Sequence, residues 1–166
     1  MEAERIYHEF PPFFDRESRI LILGSFPSVR SREISFYYGH PRNRFWPVIG
    51  RLFQLEIPPD TEGRKNVLSR CHIALWDVIE SCRIRGSQDS SIRDPKITDL
   101  SMILDAADIR GIYLNGKKAA DLYERWQKPA IGRSAAALPS TSPANAAWSL
   151  DRLCEAWSVI LQDAPR

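Results

Sequence analysis

Residues 19–24 read Arg-Ile-Leu-Ile-Leu-Gly, a short and continuously apolar run that is closed by a glycine. Such a run is typical of a strand that is buried on both faces of a parallel sheet. Similar apolar runs recur further along the chain. We therefore predict further strands over residues 72–79 and 109–114, and a weaker fourth strand over residues 135–138.

The segments between these runs have helical spacing. Apolar side chains recur at Phe45, Val48, Ile49 and Leu52, which predicts a helix from residue 45. Further helices are predicted over residues 61–70, near 100–104, and over 117–127 and 144–161. Alternating strands and helices predict a parallel sheet with helices on both faces. The expected fold class is α/β: a single three-layer α/β/α domain over residues 1–166, with a central, mostly parallel four-stranded sheet.

Three segments do not fit a regular helix or strand. Residues 10–14 carry two prolines among three phenylalanines, which predicts an extended lead-in over the core. Residues 25–43 and the polar residues 81–95 are predicted loops, and the first is long enough to suggest a function. Ligands of parallel sheets bind beyond the carboxyl ends of the strands. Four strand-end loops should therefore converge on one cleft: residues 24–28, 77–81, 115–118 and 139–143.

Composition restricts the class of protein. The chain has 166 residues, of which 43% are hydrophobic and 27% charged, as in ordinary globular proteins. No apolar run of about 18 residues occurs, and the charged N-terminus does not resemble a signal peptide. The three cysteines lie far apart, which fits a reducing compartment. We expect a cytoplasmic monomer with no membrane partner.

Several kinds of site are disfavoured. Residues 24–28 lack the glycine fingerprint of dinucleotide-binding proteins, and no Walker sequence occurs, so no nucleotide cofactor is expected. A serine hydrolase with Ser25 as nucleophile is a weak alternative, because His8, His40 and His72 all precede the position where its histidine normally falls. These histidines also lack acidic ligands at metal spacing. We predict no metal, no iron–sulfur cluster and no other cofactor.

Residues 36–46 read Phe-Tyr-Tyr-Gly-His-Pro-Arg-Asn-Arg-Phe-Trp and mix aromatic rings, cations and an amide. Aromatic rings stack on bases and arginines contact phosphates, which favours nucleic-acid binding. The alternative is that the aromatic side chains belong to the core. For Phe36, Phe45 and Trp46 the core interpretation is preferred, because aromatic residues near helix starts are usually buried.

Two motifs carry a family resemblance. Residues 24–28, Gly-Ser-Phe-Pro-Ser, with residues 38–46, Tyr-Gly-His-Pro-Arg-Asn-Arg-Phe-Trp, resemble the uracil-DNA glycosylase superfamily, and most closely its hypoxanthine-DNA glycosylase (deoxyinosine glycosylase) family. Residues 139–143, Pro-Ser-Thr-Ser-Pro, fall where the superfamily has its DNA-inserting loop. The resemblance covers nearly the whole chain. It implies hydrolysis of the N-glycosidic bond of deoxyinosine in double-stranded DNA, which leaves hypoxanthine and an abasic site.

The resemblance has one informative departure. Uracil-cleaving relatives place a catalytic Asp or Asn where this chain has Phe26, and a phenylalanine cannot activate water. The resemblance instead implies that Asn43 is the catalytic amide, and hypoxanthine release should exceed uracil release. From the residues alone, a cap of the helix that follows is the preferred role for Asn43. Glu33 is a rival general base, although a solvated surface position suits it better.

The base-binding residues follow partly from the same resemblance. It implies that the base stacks on Tyr38, while backbone groups of Ser25 and Phe26 hydrogen-bond its edge. Asp77 and Asn115 each follow a predicted strand and are further candidates for reading the base edge. Each has a simpler alternative, since Asp77 can cap a turn and Asn115 can adopt a left-handed turn conformation.

The DNA-binding prediction includes Arg42, His40 and Lys117, with His40 serving either to contact a phosphate or to brace its loop. Lys117 opens a helix whose N-terminus suits a phosphate. Hydroxyls in the loop at residues 140–145 can also bind phosphates, although no large apolar wedge is evident there. Because the motifs contain no lysine nucleophile, a monofunctional enzyme is expected. The loop residues assigned to DNA are Ser140, Ser142 and Pro143.

Charge distribution supports a nucleic-acid partner. The chain has a net charge of only +2, but residues 29–51 contain five arginines and one glutamate. This segment carries Tyr38 and Asn43, so its positive charge predicts a DNA-facing surface. Two other functions stay open: a mismatch-specific uracil or thymine glycosylase, and a non-catalytic module that binds nucleic acid.

Overall fold

A computed structural model describes residues 4–165 of the chain, and it has an α/β fold. One helical stretch, over residues 117–131, contains a central π-helical turn. Short 3-10 segments cover Asp89–Ser91 and Ser158–Asp163. In chain order the strands and helices are β1 (Arg5–Tyr7), β2 (Ile20–Gly24), α1 (Val29–Ile34), α2 (Phe45–Phe53), α3 (Thr61–Cys71), β3 (Ile73–Asp77), β4 (Ile79–Arg83), β5 (Arg93–Ile97), α4 (Ser101–Ala106), β6 (Gly111–Asn115), α5 (Lys117–Leu122), the π turn (Tyr123–Gln127), α6 (Lys128–Ile131), β7 (Ala136–Leu138) and α7 (Leu150–Trp157).

The main sheet has four strands, all parallel, in the order β3-β2-β6-β7. This confirms the predicted four-stranded parallel sheet. Strand β2 lies in its interior and pairs Gly24 with Asp77 at the carboxyl end of β3. Because the strands are parallel, their carboxyl ends meet at one edge of the sheet, where the predicted site residues lie.

The alternating side chains of β2 build a core on each face of the main sheet. Ile20 and Ile22 join the cluster that contains Phe45 and Trp157 from α2 and α7. Leu21 and Leu23 join the cluster formed with α4, α5 and strand β4. The first four residues of β2 are wholly buried, and each contributes roughly 1.5–3 kcal/mol of hydrophobic stabilisation. The apolar run that predicts the fold from the sequence is therefore the strand that contributes to both cores of the protein.

A second, three-stranded antiparallel sheet was not predicted from the sequence. Its order is β1-β4-β5, so residues 81–95 are not a continuous loop and residues 72–79 form parts of two strands. The polar sequence of β4 and β5 hides them, and Pro95 is tolerated because β5 is an edge strand. The N-terminal segment is extended as predicted, and it also supplies β1.

Three other boundaries differ from prediction. The predicted loop over residues 25–43 contains α1, whose first turn is capped by Ser28. The last helix begins at Leu150 rather than residue 144, because Ser149 accepts a hydrogen bond from the Arg152 N–H and residues 144–149 form turns. The helix from Lys117 runs on to Ile131. Within residues 4–165, no helix has the length and apolarity to span a membrane.

Candidate active site

The four predicted loops converge on one cavity of about 130 Å³ at the carboxyl edge of the main sheet. Pockets that enclose drug-sized ligands have volumes of roughly 300–1,000 Å³. This smaller cavity suits a single flat ring system. Residues at all four strand ends reach it. The predicted site residues that line it are Ser25, Phe26, Tyr38, His40, Asp77, Asn115, Asn43, Ser140, Ser142 and Pro143.

Asn43 lines the cavity and also stabilises the start of α2. Its side-chain Oδ1 accepts a hydrogen bond from the backbone N–H of Phe45 at 2.9 Å. The N-cap position of α2 is Arg44, so Asn43 stabilises the helix from one residue before the cap, through a side-chain turn to the first helical N–H. This role does not exclude chemistry, because an amide oxygen has a second lone pair that can accept a hydrogen bond from water. The turn also fixes the orientation of the side chain.

Asp77 is a buried carboxylate at the end of β3. Its Oδ2 lies 2.7 Å from Nε2 of His8, and the two side chains are 5% and 3% exposed. Its other oxygen, Oδ1, faces the backbone of Gly24. A Cβ at position 24 would lie 2.5 Å from that oxygen, so the close approach requires a glycine. Asp77 therefore has one oxygen paired with His8 and one beside the cavity-lining Gly24.

Tyr38 occupies an unusual backbone position beside Asp77. Its φ angle is +55°, a left-handed conformation that costs a non-glycine residue of order 1 kcal/mol. One face of its ring stacks on Phe45, with centroids 4.1 Å apart. Its hydroxyl is buried and makes no hydrogen bond with any residue from 4 to 165. The ring therefore offers the cavity only its opposite face and its hydroxyl.

The surroundings of Tyr38 keep its hydroxyl protonated. Burial raises the pKa of Tyr38 well above its usual value, and the negative charge of Asp77 raises it further. The nearby Asn115 amide lowers the pKa of Tyr38 and so offsets part of this rise. The two side chains do not meet the geometry of a hydrogen bond. The pKa of the neighbouring Tyr37 is raised for the same two reasons, in the same order. Both phenols are therefore neutral donors at physiological pH.

Asn115 fixes the loop that follows β7. Its amide donates to Oγ1 of Thr141, and its Oδ1 accepts from the backbone N–H of Thr141, both at 3.0 Å. Asn115 does not adopt the left-handed turn conformation; the positive φ, +99°, belongs to the next residue, Gly116. A Cβ there would also lie 3.1 Å from the Cβ of Ser140. The two hydrogen bonds between Asn115 and Thr141 hold the loop at residues 139–143 against the cavity.

Arg44 joins the two motifs that carried the family resemblance. Its guanidinium donates to the backbone carbonyls of Ser142 at 3.1 Å, Asn145 at 2.9 Å and Trp148. Its own N–H donates to the carbonyl of Thr141 at 2.9 Å. The sequence suggested a DNA-facing cation here, but this side chain is a structural clamp.

Three other arginines of residues 29–51 also have partners within the protein, so fewer cations are available on the predicted DNA-facing surface. Arg30 pairs with Glu33 at 3.5 Å, and Arg51 pairs with Asp151. Arg32 donates to the carbonyl of Gly86 at 2.7 Å. The pairing of Glu33 also fits a surface residue better than a general base. The predicted arginine surface was thus too broad, because folding engages four of its five cations.

Arg42 is exposed next to Asn43, and its guanidinium makes no hydrogen bond or ion pair with the residues that the structure describes. Its backbone N–H donates to Nδ1 of His40 at 3.1 Å, so His40 braces its own loop. That contact places the imidazole proton of neutral His40 on Nε2. The other ring nitrogen can then donate to a ligand.

A wider groove of about 1190 Å³ adjoins the cavity and shares His40, Ser140, Ser142 and Pro143 with it. Lys117 lines this groove rather than the cavity. Trp148 lies in the groove as well, with the guanidinium of Arg152 4.2 Å from its ring centroid. The cavity therefore opens beside a larger groove whose lining includes the cation Lys117.

Sequence reasoning missed several residues at this site. His8 carried no local signal, because its place depends on the pairing of β1 with β4. Ser87 reaches the cavity from the segment between β4 and β5, and its hydroxyl accepts from the N–H of Val29 at 2.8 Å. Among the described residues, no three His, Cys, Asp or Glu side chains are grouped as a metal site.

Comparisons with known proteins identify the family of the chain. Residues 11–164 match the family model of the uracil DNA glycosylase superfamily. The chain is 36% identical over 155 residues to the hypoxanthine DNA glycosylase of Methanosarcina acetivorans, covering 92% of this chain and 96% of the relative. It is 36% identical over 138 residues to the hypoxanthine DNA glycosylase of Methanosarcina barkeri, covering 82% and 86%.

A solved structure shows the same fold. The solution NMR structure of a candidate uracil DNA glycosylase from Methanosarcina acetivorans superimposes with a TM-score of 0.78 at 36% identity, covering 92% of this chain and 95% of that one. The predicted family is confirmed, and with it the prediction of a DNA glycosylase, an enzyme that hydrolyses N-glycosyl bonds. On this evidence the chain belongs to the uracil DNA glycosylase superfamily.

Proposed function

We propose that this protein is a monofunctional glycosylase that removes hypoxanthine from deoxyinosine in double-stranded DNA. One observation carries the proposal: Phe26 and Asn43 both line the same small cavity. An apolar ring stands where uracil-cleaving relatives place their catalytic side chain, and the remaining amide is oriented towards the same space. The curated relatives at 36% identity, both named hypoxanthine DNA glycosylases, support the substrate.

The reaction begins with extrusion of the damaged nucleotide. Taking a base out of the stack costs a few kcal/mol, and least where pairing is already weakened by damage or mismatch. The groove holds the backbone near Lys117 and the loop at residues 139–143, while the cavity admits the base alone. We assign Arg42 and His40 Nε2 to phosphates beside the flipped nucleotide.

Hydrolysis then needs a positioned water. The free lone pair of Asn43 Oδ1 accepts a hydrogen bond from the water, which attacks C1′ of the sugar as the C1′–N9 electron pair leaves with the base. The proton that the water loses passes through solvent to the departing base anion, which leaves as neutral hypoxanthine. A neutral amide orients water without acting as a strong base, which suits a reaction whose sugar already carries positive character. Fixed donors around the base lower the barrier further as negative charge develops on it.

The cavity lining supports the monofunctional assignment. A lyase step needs an amine nucleophile near C1′. The residues from 4 to 165 that line the cavity include no lysine, and Lys117 stands in the outer groove. The three cysteines are unpaired and buried, which suits the cytoplasmic monomer that we propose.

The test is a set of labelled duplexes that carry one deoxyinosine, one deoxyuridine, one thymine mispair or no damage. We expect alkali-labile sites first and fastest at deoxyinosine. Faster cleavage at deoxyuridine or at the thymine mispair would replace the proposal with a mismatch-specific uracil or thymine glycosylase. Tight binding with no alkali-labile site at any lesion would indicate the non-catalytic module.

A further inference from the structure

The inner end of the cavity contains two polar groups of opposite hydrogen-bonding character. Oδ1 of Asp77 and the hydroxyl of Tyr38 both lie within 3.5 Å of the point that a Cβ on Gly24 would occupy. Neither the clamp of Arg44 nor the side-chain turn of Asn43 uses them. Because the Tyr38 hydroxyl is buried without a hydrogen bond in residues 4–165, it is a ready donor for a ligand in the cavity.

His8 determines the character of the Asp77 carboxyl group. Its Nε2 is 2.7 Å from Oδ2, while its Nδ1 is buried with no hydrogen-bond partner in the described part of the chain. A carboxylate oxygen only accepts hydrogen bonds, so the Nε2 that faces Oδ2 carries a proton. His8 then donates to Asp77, which presents its second oxygen as an acceptor.

We propose that Asp77 and the Tyr38 hydroxyl distinguish hypoxanthine from adenine by its lactam edge, and that His8 is the positioning residue that holds Asp77 for this task. This inference rests on the proposed function. It assigns the hydroxyl of Tyr38, in place of the stacking face suggested by the sequence, to contact with the base. One face of the ring packs on Phe45, so the hydroxyl and the other face are the parts of Tyr38 that are open to the cavity.

The chemistry of deamination explains why such a pair discriminates. Hypoxanthine presents an N1–H donor beside its O6 acceptor, so Asp77 accepts from N1–H and Tyr38 donates to O6. Adenine presents an N1 lone pair beside an amino group, which sets that lone pair against the carboxylate. A site built to bond a particular donor rejects an analogue that lacks it far more strongly than an apolar pocket can.

His8 reaches the site from outside the part of the chain that defines the family. The family model matches residues 11–164, whereas His8 follows strand β1. Its backbone N–H donates to the carbonyl of Glu80 at 2.8 Å, and its ring packs 4.5 Å from that of Phe10. Strand β1 of the second sheet thus places His8 beside Asp77, the residue to which we assign base selection.

The experiment measures binding, so that it does not depend on turnover. Duplexes contain deoxyinosine, deoxyadenosine, or 2′-deoxynebularine, whose purine lacks O6 and presents N1 as an acceptor. The parent protein is the Asn43→Ala variant, which leaves the DNA intact. We expect it to bind the deoxyinosine duplex more tightly than the other two, and equal affinity for all three would overturn the inference.

Tyr38→Phe added to this parent removes the hydroxyl and keeps the ring. We expect affinity for deoxyinosine to fall about tenfold, with a change of less than about threefold for nebularine. An equal loss on both duplexes would contradict a contact between Tyr38 and O6. Tyr7→Phe is the matched control, because Tyr7 is 60% exposed on β1 and should leave all three affinities unchanged.

His8→Phe keeps an aromatic ring beside Phe10 but removes the donor to Asp77, whereas His8→Gln restores a donor. We expect the preference for deoxyinosine over deoxyadenosine to fall about tenfold in His8→Phe and to return in His8→Gln. Equal preferences in these two variants, at equal thermal stability, would overturn the positioning role. Failure of the wild-type protein to release hypoxanthine would instead refute the proposed function, since that assay uses none of these variants.

Discussion

The guanidinium of Arg44 donates to the backbone carbonyl of Asn145 at 2.9 Å, across 101 positions of sequence. It joins the segment that carries Asn43 to the loop at residues 139–148 that closes the site. Arg44→Met should lower the free energy of unfolding by roughly 2–4 kcal/mol, because it leaves several carbonyls without a donor. Hydrogen exchange at residues 140–148 should accelerate, and hypoxanthine release should slow at least about tenfold.

Arg44→Lys is the matched variant for this prediction. It keeps the charge but cannot reproduce a forked contact with several carbonyls. We expect it to resemble Arg44→Met in hydrogen exchange. If Arg44→Lys and Arg44→Met both keep wild-type exchange at residues 140–148, the clamp does not hold this loop.

Asn43 has two roles that substitutions can separate. Asn43→Ala should reduce single-turnover hypoxanthine release by at least about 100-fold, since it removes the group that orients water. It should also cost about 1 kcal/mol of stability through the lost hydrogen bond to the Phe45 N–H. Asn43→Ser keeps a side-chain oxygen for this bond and should recover stability in thermal denaturation without recovering activity. Recovery of both would leave Asn43 only its structural role at the start of α2.

Phe26 is expected to set the lesion preference. Phe26→Asn puts an amide where uracil-cleaving relatives carry their catalytic side chain, so uracil release should rise from its wild-type level. Phe26 is buried and lies under the guanidinium of Arg32, 5.6 Å from its ring centroid, so circular dichroism must accompany the assay. A folded variant with no gain in uracil release would contradict this account of specificity.

Arg42 should contribute to the salt dependence of DNA binding. Removing one phosphate contact reduces the slope of log K against log salt by about 0.9, and we expect this change for Arg42→Gln. Arg51→Gln is the control, because Arg51 already pairs with Asp151. Filter binding or anisotropy at several salt concentrations provides the slopes. Equal slopes for wild type and Arg42→Gln would remove Arg42 from the interface.

The sequence predicted what depends on local pattern. Strand β2 is predicted by four consecutive apolar residues, Ile20 to Leu23, that are closed by Gly24. The parallel sheet follows from the alternation of strands and helices. Strands β4 and β5 were not predicted, because they have the same length as β2 but polar sequences, and they pair with segments distant in the chain. Their absence from the prediction also hid β1, and with it the position of His8.

Side-chain roles were less predictable than positions. Asp77 and Asn115 were placed correctly at strand ends beside the cavity, yet their partners, His8 and Thr141, lie 69 and 26 positions away in sequence. The charge count likewise found a positive segment but could not show that Arg44 is used internally. Such pairings are set by tertiary packing, which no local pattern encodes.

The most direct test of the proposed function detects both products of the reaction. Wild-type protein is incubated with a duplex that carries one deoxyinosine, and the small-molecule fraction is analysed by mass spectrometry while the labelled strand is run with and without alkali. We predict free hypoxanthine in an amount equal to the abasic sites, with strand breaks only after alkali. Strand breaks without alkali, or no free hypoxanthine from a correctly folded protein, would contradict the account.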